Sequence, residues 1–314
     1  MATIGNDLST VAHLLREGRI VAIPTETVYG LAANAFDEAA VLKVFEAKQR
    51  PSFDPLIVHV GQQADVHRVA RELPPGAQAL IDAFWPGPLT LVLPKRDAVP
   101  DIVTSGLDTV GVRMPAHPLT LQLLRALDFP LAAPSANPFG YVSPTTAQHV
   151  ADQLGGRIPY ILDGGPCEVG VESTIIGWEG DRWVLYRPGG IALEAIEAVI
   201  GSVAQAVKQV LPAAPGMLES HYAPRTPVHV GDIEALLPRF AGKRIGIISF
   251  REAHAAHRCV ALSERGDLSE AARNLFAALR HLDNSDCEVI LAERFPDEGL
   301  GRAINDRLRR AASR

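Results

Sequence analysis

The segment Ile23–Val60 decides the fold, and it reads IPTETVYGLAANAFDEAAVLKVFEAKQRPSFDPLIVHV. The apolar run Arg19–Ile23 predicts a strand that ends at Pro24, and Leu56–Val60 predicts a second buried strand. Between the two strands, apolar residues at helical spacing predict a helix that Pro51 terminates. The segment therefore predicts a strand–turn–helix–turn–strand unit whose polar residues gather at its turns.

Two cations lie at the end of this predicted helix. Lys48 and Arg50 flank a single position, so both can reach an anion from one helix end. Arg presents a planar fork of donors and Lys a compact charge, a combination that suits phosphate oxygens. Cations at a helix C terminus also stabilise the helix dipole, so the spacing alone leaves a purely structural role equally open.

Polar side chains also interrupt or follow two apolar strands further along the chain. Arg113 lies inside the predicted strand Thr109–Met114, where it must be paired or face a site, because an unpaired buried charge is costly. Surface exposure of the charged head is the alternative. Ser135 and Asn137 stand two apart after another strand, so an extended backbone puts both on one face. A simple polar turn gives the same pattern.

Length and composition limit the class of protein. The chain has 314 residues, of which 47% are hydrophobic and 21% charged, which predicts two folded domains. A net charge of −6 argues against holding nucleic acid by bulk electrostatics but allows a local nucleotide pocket. Three cysteines without C-x-x-C spacing, no signal-like N terminus and no long apolar run predict a cytoplasmic protein without a membrane partner.

A change of composition divides the chain into parts. We predict an α/β (α+β) catalytic domain over residues 1–201, with a twisted mixed sheet, and a proline-rich linker over residues 202–227. Strand and helix patterns alternate over residues 228–314, which predicts a small three-layer α/β domain with a mainly parallel sheet. This second domain has no G-x-G-x-x-G motif, so nucleotide binding is not predicted there.

Several of these motifs together resemble the YrdC-type threonylcarbamoyl-AMP synthases. The similarity rests on PTETVYGL, on the K-x-R of Lys48 and Arg50, on RPSFDPLIVHV and on PGMLESHYAP in the linker. It covers essentially the whole chain and implies the longer subtype, in which a YrdC-like domain is followed by a linker over the active site and a Rossmann-like domain. The resemblance implies that the protein makes threonylcarbamoyl-AMP and pyrophosphate from L-threonine, bicarbonate and ATP. The product would serve the tRNA modification N6-threonylcarbamoyladenosine at position 37.

The resemblance also implies roles for individual residues. On the ATP side these are Lys48, Arg50, Asp54, Thr109, Ser135, Asn137, Ser143, Arg187 and Tyr222, with Lys48 and Arg50 as the catalytic candidates. On the threonine side they are Thr27, Tyr29, His59, Arg113, Ala133 and Ser173. Mg²⁺ is expected as the counter-ion of ATP, held by phosphates and water, and no metal site built by the protein is predicted. A separate tRNA threonylcarbamoyl transferase would receive the product, and direct contact with tRNA stays open.

We expect both Lys48 and Arg50 to be exposed to the pocket, so that replacing either by Ala abolishes activity with little loss of stability. Asp54 departs from the family pattern, because many relatives carry an Asn or a basic residue there, and an acid beside ATP needs a neighbouring cation, metal or ribose. Ala133 offers only a methyl group where relatives can carry a hydroxyl. Two other functions stay open: a carbamoyl-adenylating module for a carbamoyltransferase, and a non-enzymatic binder of double-stranded RNA.

Overall fold

The computed structural model describes residues 1–51, 54–206 and 222–313. Within them the chain forms a mixed sheet of eleven strands and then a parallel sheet of four strands. Helices pack on both sheets, so the predicted α/β class is confirmed. In the described parts of the chain, every helix is too short or too polar to cross a membrane.

The first sheet places distant parts of the chain side by side. Its order is β1-β8-β2-β3-β7-β4-β6-β5-β9-β10-β11. The strands are β1 Thr3–Gly5, β2 Val21–Ile23, β3 Gly30–Asn34, β4 Ile57–His59, β5 Leu89–Pro94, β6 Thr109–Arg113, β7 Leu131–Ala132, β8 Tyr160–Leu162, β9 Thr174–Glu179, β10 Arg182–Arg187 and β11 Ala204–Gln205. Strands β4 and β6 pair in parallel with His59 opposite Arg113, so two predicted site residues become neighbours.

The first domain has eight α-helices among its described residues. They are α1 Leu8–Arg16, α2 Glu38–Lys48, α3 Val66–Val69, α4 Ala77–Phe84, α5 Asp101–Thr104, α6 Pro118–Ala126, α7 Ala147–Leu154 and α8 Leu193–Ile200. The carboxylate of Asp7 accepts hydrogen bonds from the backbone N–H groups of Ser9 and Thr10 and thereby caps the N terminus of α1. Helix α2 ends at Gln49, whose left-handed φ of 53° turns the chain sharply between Lys48 and Arg50.

The segment that decides the fold contains one strand more than the sequence predicts. β3 runs antiparallel to β2, so the polar turn connects two paired strands. The sequence GLAAN lacks the β-branched residues that favour strands, and pairing with β2 and β7 fixes its extended backbone. The unit is therefore strand–turn–strand–helix–strand.

The second domain has the predicted three layers. Its strands are β12 Val228–Val230, β13 Ile245–Ser249, β14 Arg258–Ala261 and β15 Val289–Ala292, in the order β12-β15-β13-β14. Its helices are α9 Ile233–Leu236, followed by a 3₁₀ turn over Leu237–Phe240, α10 Leu268–Asp283 and α11 Gly301–Ala312. Helix α9 packs on one face of the sheet, and α10 and α11 pack on the other.

The boundary between the domains differs from the predicted one. Strand β11 pairs with β10, so the first sheet continues into the segment predicted to begin the linker at residue 202. Most of that predicted linker, residues 207–221, lies outside the described residues. The chain is described again from Tyr222, which is buried in the apolar cluster of the second domain.

Candidate active site

A cavity lies where several strands of the first sheet end beside the turn that follows β2. Its wall is formed by Thr25, Thr27, Val28, Gly30, Arg50, Ile57, His59, Arg113, Ala133, Pro134, Ser135, Glu172, Ser173, Arg187 and Tyr222. Three guanidinium groups and several hydroxyls therefore face one space, a composition that suits an anionic ligand. The space that water-sized molecules can occupy in the cavity is about 50 Å³.

Arg113 is held at the cavity wall by three contacts. Nη1 donates to Thr27 Oγ1 at 2.9 Å, and Nε donates to the carbonyl of Gly87 at 3.2 Å. Nη2 lies 2.6 Å from a carboxylate oxygen of Glu26, in an ion pair whose N–H group is not aligned as a hydrogen bond. Both partners are buried, and such a pair is stable only with close geometry. The guanidinium is therefore fixed in a position where it can meet a ligand carboxylate.

Arg50 reaches the cavity just beyond the end of α2 and is paired with Asp54. Its Nη2 lies 2.9 Å from Asp54 Oδ2 and donates to the Pro55 carbonyl at 2.9 Å, while Nε donates to the Asp54 carbonyl at 3.1 Å. The Asp54 side chain is fully buried and does not line the cavity. The acid that departs from the family pattern therefore faces a neighbouring cation and positions it.

Arg187 supplies the third guanidinium. A shift of register in β10 between Leu185 and Arg187 directs this side chain to the cavity. Its Nε and Nη2 donate to the Ser173 carbonyl at 3.3 and 2.9 Å, and Nη2 also donates to Ser173 Oγ at 3.3 Å. The Ser173 hydroxyl is also hydrogen-bonded to Thr90 Oγ1 at 2.8 Å. Arg187, which is predicted to bind ATP, and Ser173, which is predicted to bind threonine, are thus in direct contact.

His59 and Ala133 form a less polar part of the wall. Burial, followed by the positive charge of Arg113, lowers the pKa of His59 to about 3, so the imidazole is neutral near pH 7. Its Nδ1 is buried and has no hydrogen-bond partner in the described parts of the chain. The methyl group of Ala133 lies 3.2 Å from the position that a Cβ on Gly30 would occupy, so small residues keep this wall tight.

Lys48 is not exposed to the cavity, and this part of our expectation is wrong. The side chain is only 1% exposed, and Nζ donates to the carbonyls of Ser135 and Asn137, each at 2.5 Å. Lys48 therefore lies behind the wall that Ser135 forms and holds the backbone of that wall in place. Burial, and then the positive charge of Arg50, lower the pKa of Lys48 well below its usual value.

Three further predicted residues lie beside the cavity without lining it. Tyr29 is fully buried and donates to the Gly165 carbonyl at 2.8 Å. The amide nitrogen of Asn137 donates to backbone carbonyls, while its Oδ1 has no partner among the described residues. Ser143 donates to Glu172 Oε1 at 2.6 Å and so contacts the cavity only through that carboxylate, which lines it.

Thr109 lies apart from the other predicted residues. It starts β6, whereas Arg113 ends the same strand, so the two are about 13 Å apart along an extended backbone. Both side chains point to the same face of the sheet, because they are four residues apart. Thr109 lines a second cavity with Val92, Trp178 and Tyr186. A role for Thr109 in binding ATP stays a prediction, and it requires the nucleotide to span both cavities.

The sequence analysis missed two buried carboxylates at the site, Glu26 and Glu172. Glu26 pairs with Arg113, and Glu172 pairs with Arg307 from the second domain at 2.8 Å. The requirement that a buried Arg be paired could have indicated Glu26, which stands one residue before Thr27 in the polar turn. Nothing local could have linked Glu172 to Arg307, because the two are 135 residues apart in sequence.

The fold and the cavity define a two-domain α/β protein with a cationic site in its first domain. Comparison with protein-family models gives two matches. The Sua5/YciO/YrdC model, described as "Telomere recombination", matches residues 13–189. The model described as "Threonylcarbamoyl-AMP synthase, C-terminal domain" matches residues 191–313.

Individual relatives agree with both models. The threonylcarbamoyl-AMP synthase of Pyrococcus abyssi is 48% identical, covering 96% of this chain and 92% of its own. That of Bacillus subtilis is 44% identical, covering 99% of this chain and 94% of its own. The structure of P. abyssi Sua5 complexed with L-threonine is similar with a TM-score of 0.93 and 44% identity, covering 99% of this chain and 97% of that one. The chain therefore belongs to the Sua5/YrdC family of threonylcarbamoyl-AMP synthases, in its two-domain form.

Proposed function

We propose that the protein is an L-threonylcarbamoyladenylate synthase, an enzyme that forms threonylcarbamoyl-AMP and pyrophosphate from L-threonine, bicarbonate and ATP. The observation that carries this proposal is the convergence of Arg50, Arg113 and Arg187 on one cavity in a chain that is similar to such synthases over its whole length. The reaction joins two anionic substrates, so a site with three fixed guanidinium groups suits it.

Arg50 and Arg187 are assigned to the phosphates of ATP. Their guanidinium groups are held by carbonyl oxygens of the chain, and Arg50 also by the Asp54 carboxylate, so both planar groups are fixed at the wall of the cavity that would receive phosphate oxygens. Ser135 lines the same cavity, and Lys48 holds its carbonyl from behind. Phosphoryl and nucleotidyl transfer depend mainly on position and on neutralised charge, and this group of residues supplies both.

Arg113 is assigned to the carboxylate of threonine. The complex of P. abyssi Sua5 with L-threonine supports binding of this amino acid by a close structural relative. Thr27 and Ser173 offer hydroxyls in the same cavity, and the neutral imidazole of His59 adds a hydrogen-bonding group without a charge. This arrangement would hold the amino group of threonine where it can combine with bicarbonate.

The proposed chemistry has two steps. The threonine nitrogen bonds to the carbon of bicarbonate, and water leaves, which gives the N-carboxylate, a labile carbamate. A carbamate oxygen then bonds to the α-phosphorus of ATP, and pyrophosphate leaves with the electron pair of the broken P–O bond. A cavity whose walls exclude bulk water would protect the carbamate until that transfer occurs.

Mg²⁺ is proposed to enter with ATP. The described residues contain no group of three His, Cys, Asp or Glu side chains that could hold a metal ion. The cavity carboxylate of Glu172 is already paired with Arg307. Phosphate oxygens and water would therefore be the main ligands, and the ion would neutralise charge on the departing pyrophosphate.

We further propose that a separate tRNA threonylcarbamoyl transferase consumes the product, because a mixed carboxylic–phosphoric anhydride is an activated acyl donor. The three cysteines form no disulfide, which supports a reducing, cytoplasmic setting. The second domain favours the synthase over the carbamoyltransferase module, since its family model is described as the C-terminal domain of a threonylcarbamoyl-AMP synthase.

One assay tests the function. The protein is incubated with ATP, bicarbonate and labelled L-threonine, and released pyrophosphate and labelled adenylate are measured. The proposal predicts pyrophosphate release that requires both threonine and bicarbonate. Release that requires carbamoyl phosphate would support the carbamoyl-adenylating alternative, and no turnover together with tight binding of double-stranded RNA would support the non-enzymatic one.

A further inference from the structure

A side chain from the second domain reaches the wall of the cavity. Arg307 lies on α11 and is fully buried. Its Nε donates to Glu172 Oε2 at 2.8 Å, and its Nη1 donates to the Pro188 carbonyl at 2.7 Å and to Asp306 Oδ2 at 3.0 Å. One guanidinium group thus holds two separate segments of the first domain, the start of β9 and the chain just after β10.

Glu172 is the one carboxylate among the described residues that line the cavity. Burial opposes its ionisation, but the charges of Arg307 and then Arg187 outweigh this effect, and the pKa of Glu172 lies below its usual value. An anion in this position faces the space assigned to the triphosphate. Without Arg307 it would repel the phosphates and compete with them for the guanidinium of Arg187.

Arg307 also contacts Tyr222, which lines the cavity. Its guanidinium carbon lies 5.2 Å from the ring centroid of Tyr222, within the range of a cation–π interaction. Tyr222 has a left-handed backbone with φ of 62°, which is unfavourable for an aromatic residue and needs support from its surroundings. The ring packs between Arg307 and Phe276, whose ring centroid lies 5.6 Å away.

We propose that Arg307 is a positioning residue of the active site, which neutralises Glu172 and supports Tyr222 so that the cavity accepts the triphosphate of ATP. This inference rests on the proposed function, because it assigns the triphosphate to this cavity. It gives the second domain a direct part in the binding of ATP. Threonine, which is assigned to Arg113, should depend on Arg307 much less.

The test compares steady-state kinetics of four proteins: the parent, Arg307→Gln, Arg307→Gln with Glu172→Gln, and Arg309→Gln. Arg307→Gln should raise KM for ATP by about tenfold or more, with a much smaller change in KM for threonine, because a buried carboxylate is left without its partner. In the double variant, KM for ATP should fall most of the way back to the value of the parent, because no anion then faces the phosphates. Arg309 lies on the same helix with its side chain 70% exposed, so Arg309→Gln should behave like the parent.

The outcomes separate the inference from the proposed function. If the parent shows no threonine-dependent pyrophosphate release, the proposed function fails. If the parent is active but Arg307→Gln raises both KM values equally, or if Glu172→Gln adds to the damage, Arg307 is merely structural and the inference is overturned. Should Arg307→Gln not fold, Arg307→Lys is tested instead. It keeps the positive charge but loses the planar guanidinium, whose N–H groups donate to both Glu172 and Pro188. It should still raise KM for ATP selectively, by about threefold, and the absence of a selective rise would equally overturn the inference.

Discussion

At the scale of single residues, the site depends on how its buried cations are paired. Arg113 is paired with Glu26, Arg50 with Asp54, and Arg187 is held by the carbonyl of Ser173. Removing one partner of such a pair is costly, because the other charge stays buried. The partners therefore fix where each guanidinium points before any substrate binds, which lowers the cost of ordering the site on binding.

Lys48→Met tests the finding that this lysine supports the cavity wall from behind. The substitution keeps the aliphatic stem but leaves the carbonyls of Ser135 and Asn137 without their donor, which should cost about 2 kcal/mol of unfolding free energy. Chemical denaturation measures this loss. The control is Glu46→Met on the same helix, which should cost no more than about 0.5 kcal/mol because that side chain is exposed. Equal stability of both variants would show that Lys48 has no structural role.

His59 gives a prediction about acid. An imidazole in the unfolded chain titrates near 6.5, whereas the pKa of His59 in the folded protein is about 3. Between these values the unfolded chain binds a proton that the folded protein excludes, so stability falls as the pH decreases through this range. His59→Gln should therefore flatten the dependence of the unfolding free energy on pH below 6.5. An unchanged slope would mean that His59 does become protonated in the folded protein.

Much of the site, but not its geometry, could be predicted from the sequence. The resemblance indicated Arg50, His59, Arg113, Ser173 and Arg187, all of which line the cavity. It could not show that Lys48 is buried, since that depends on how the strand end after β7 packs on α2. Tertiary contacts between distant segments, such as Glu172 with Arg307, leave no local pattern to detect.

At the scale of elements, the backbone conformation at the end of α2 directs Lys48 and Arg50 to different places. Gln49 has a left-handed backbone with φ of 53° and ψ of 40°, so Lys48 turns inward and Arg50 continues towards the cavity. This conformation is unfavourable by about 1 kcal/mol for a residue with a Cβ, but not for glycine. The spacing of the K-x-R motif therefore works only with a sharp turn at its central residue.

A pair of substitutions at position 49 tests this turn. Gln49→Gly should leave stability unchanged or raise it slightly, because Gly is the usual residue at this helix position. Gln49→Val should lower it, because a β-branched side chain opposes positive φ. We expect thermal or chemical unfolding to separate the two variants by about 1 kcal/mol or more. If Val is tolerated as well as Gly, the backbone at Gln49 does not have the left-handed conformation.

Elements with a strong hydrophobic periodicity were predicted well, whereas strands that depend on pairing with other strands were not. The apolar pattern predicts a helix over Gly301–Ala312 and a strand over Val228–Val230, and α11 and β12 have these bounds. Strands β1 and β3 were missed, because β1 is only three residues long, β3 has no β-branched residue, and each is fixed by pairing with its neighbours. The pattern over residues 64–73 predicts a further helix, but the structure forms only a 3₁₀ turn and α3 there, and the backbone is extended at Ala70.

At the scale of the whole molecule, α10 and α11 of the second domain pack against the first domain. Tyr141 donates to Asp283 at 2.5 Å, and Arg280 donates to the carbonyls of Val142 and Ser143. These contacts lie on Tyr141, Val142 and Ser143, and the hydroxyl of Ser143 donates to Glu172 in the wall of the cavity. The position of the second domain therefore affects the shape of the site, which agrees with the role inferred for Arg307.

Two glycines with the same backbone conformation test how tightly the domains pack. Gly165 and Gly170 have φ of +80° and +77°, but a Cβ on Gly170 would lie 2.3 Å from Arg273 Cα, whereas a Cβ on Gly165 would meet nothing within 4 Å. Gly165→Ala should cost about 1 kcal/mol for the backbone alone. Gly170→Ala should cost at least about 1 kcal/mol more, because the domains must separate to admit the methyl group. Equal losses in unfolding experiments would indicate that the interface yields freely.

The most direct test of the central claim is a crystal structure of the protein with L-threonine and a non-hydrolysable analogue of ATP. The account predicts that both ligands share the cavity that Tyr222 lines, with phosphates on Arg50 and Arg187 and the threonine carboxylate on Arg113. A nucleotide bound in the second domain, or a threonine bound away from Arg113, would contradict it.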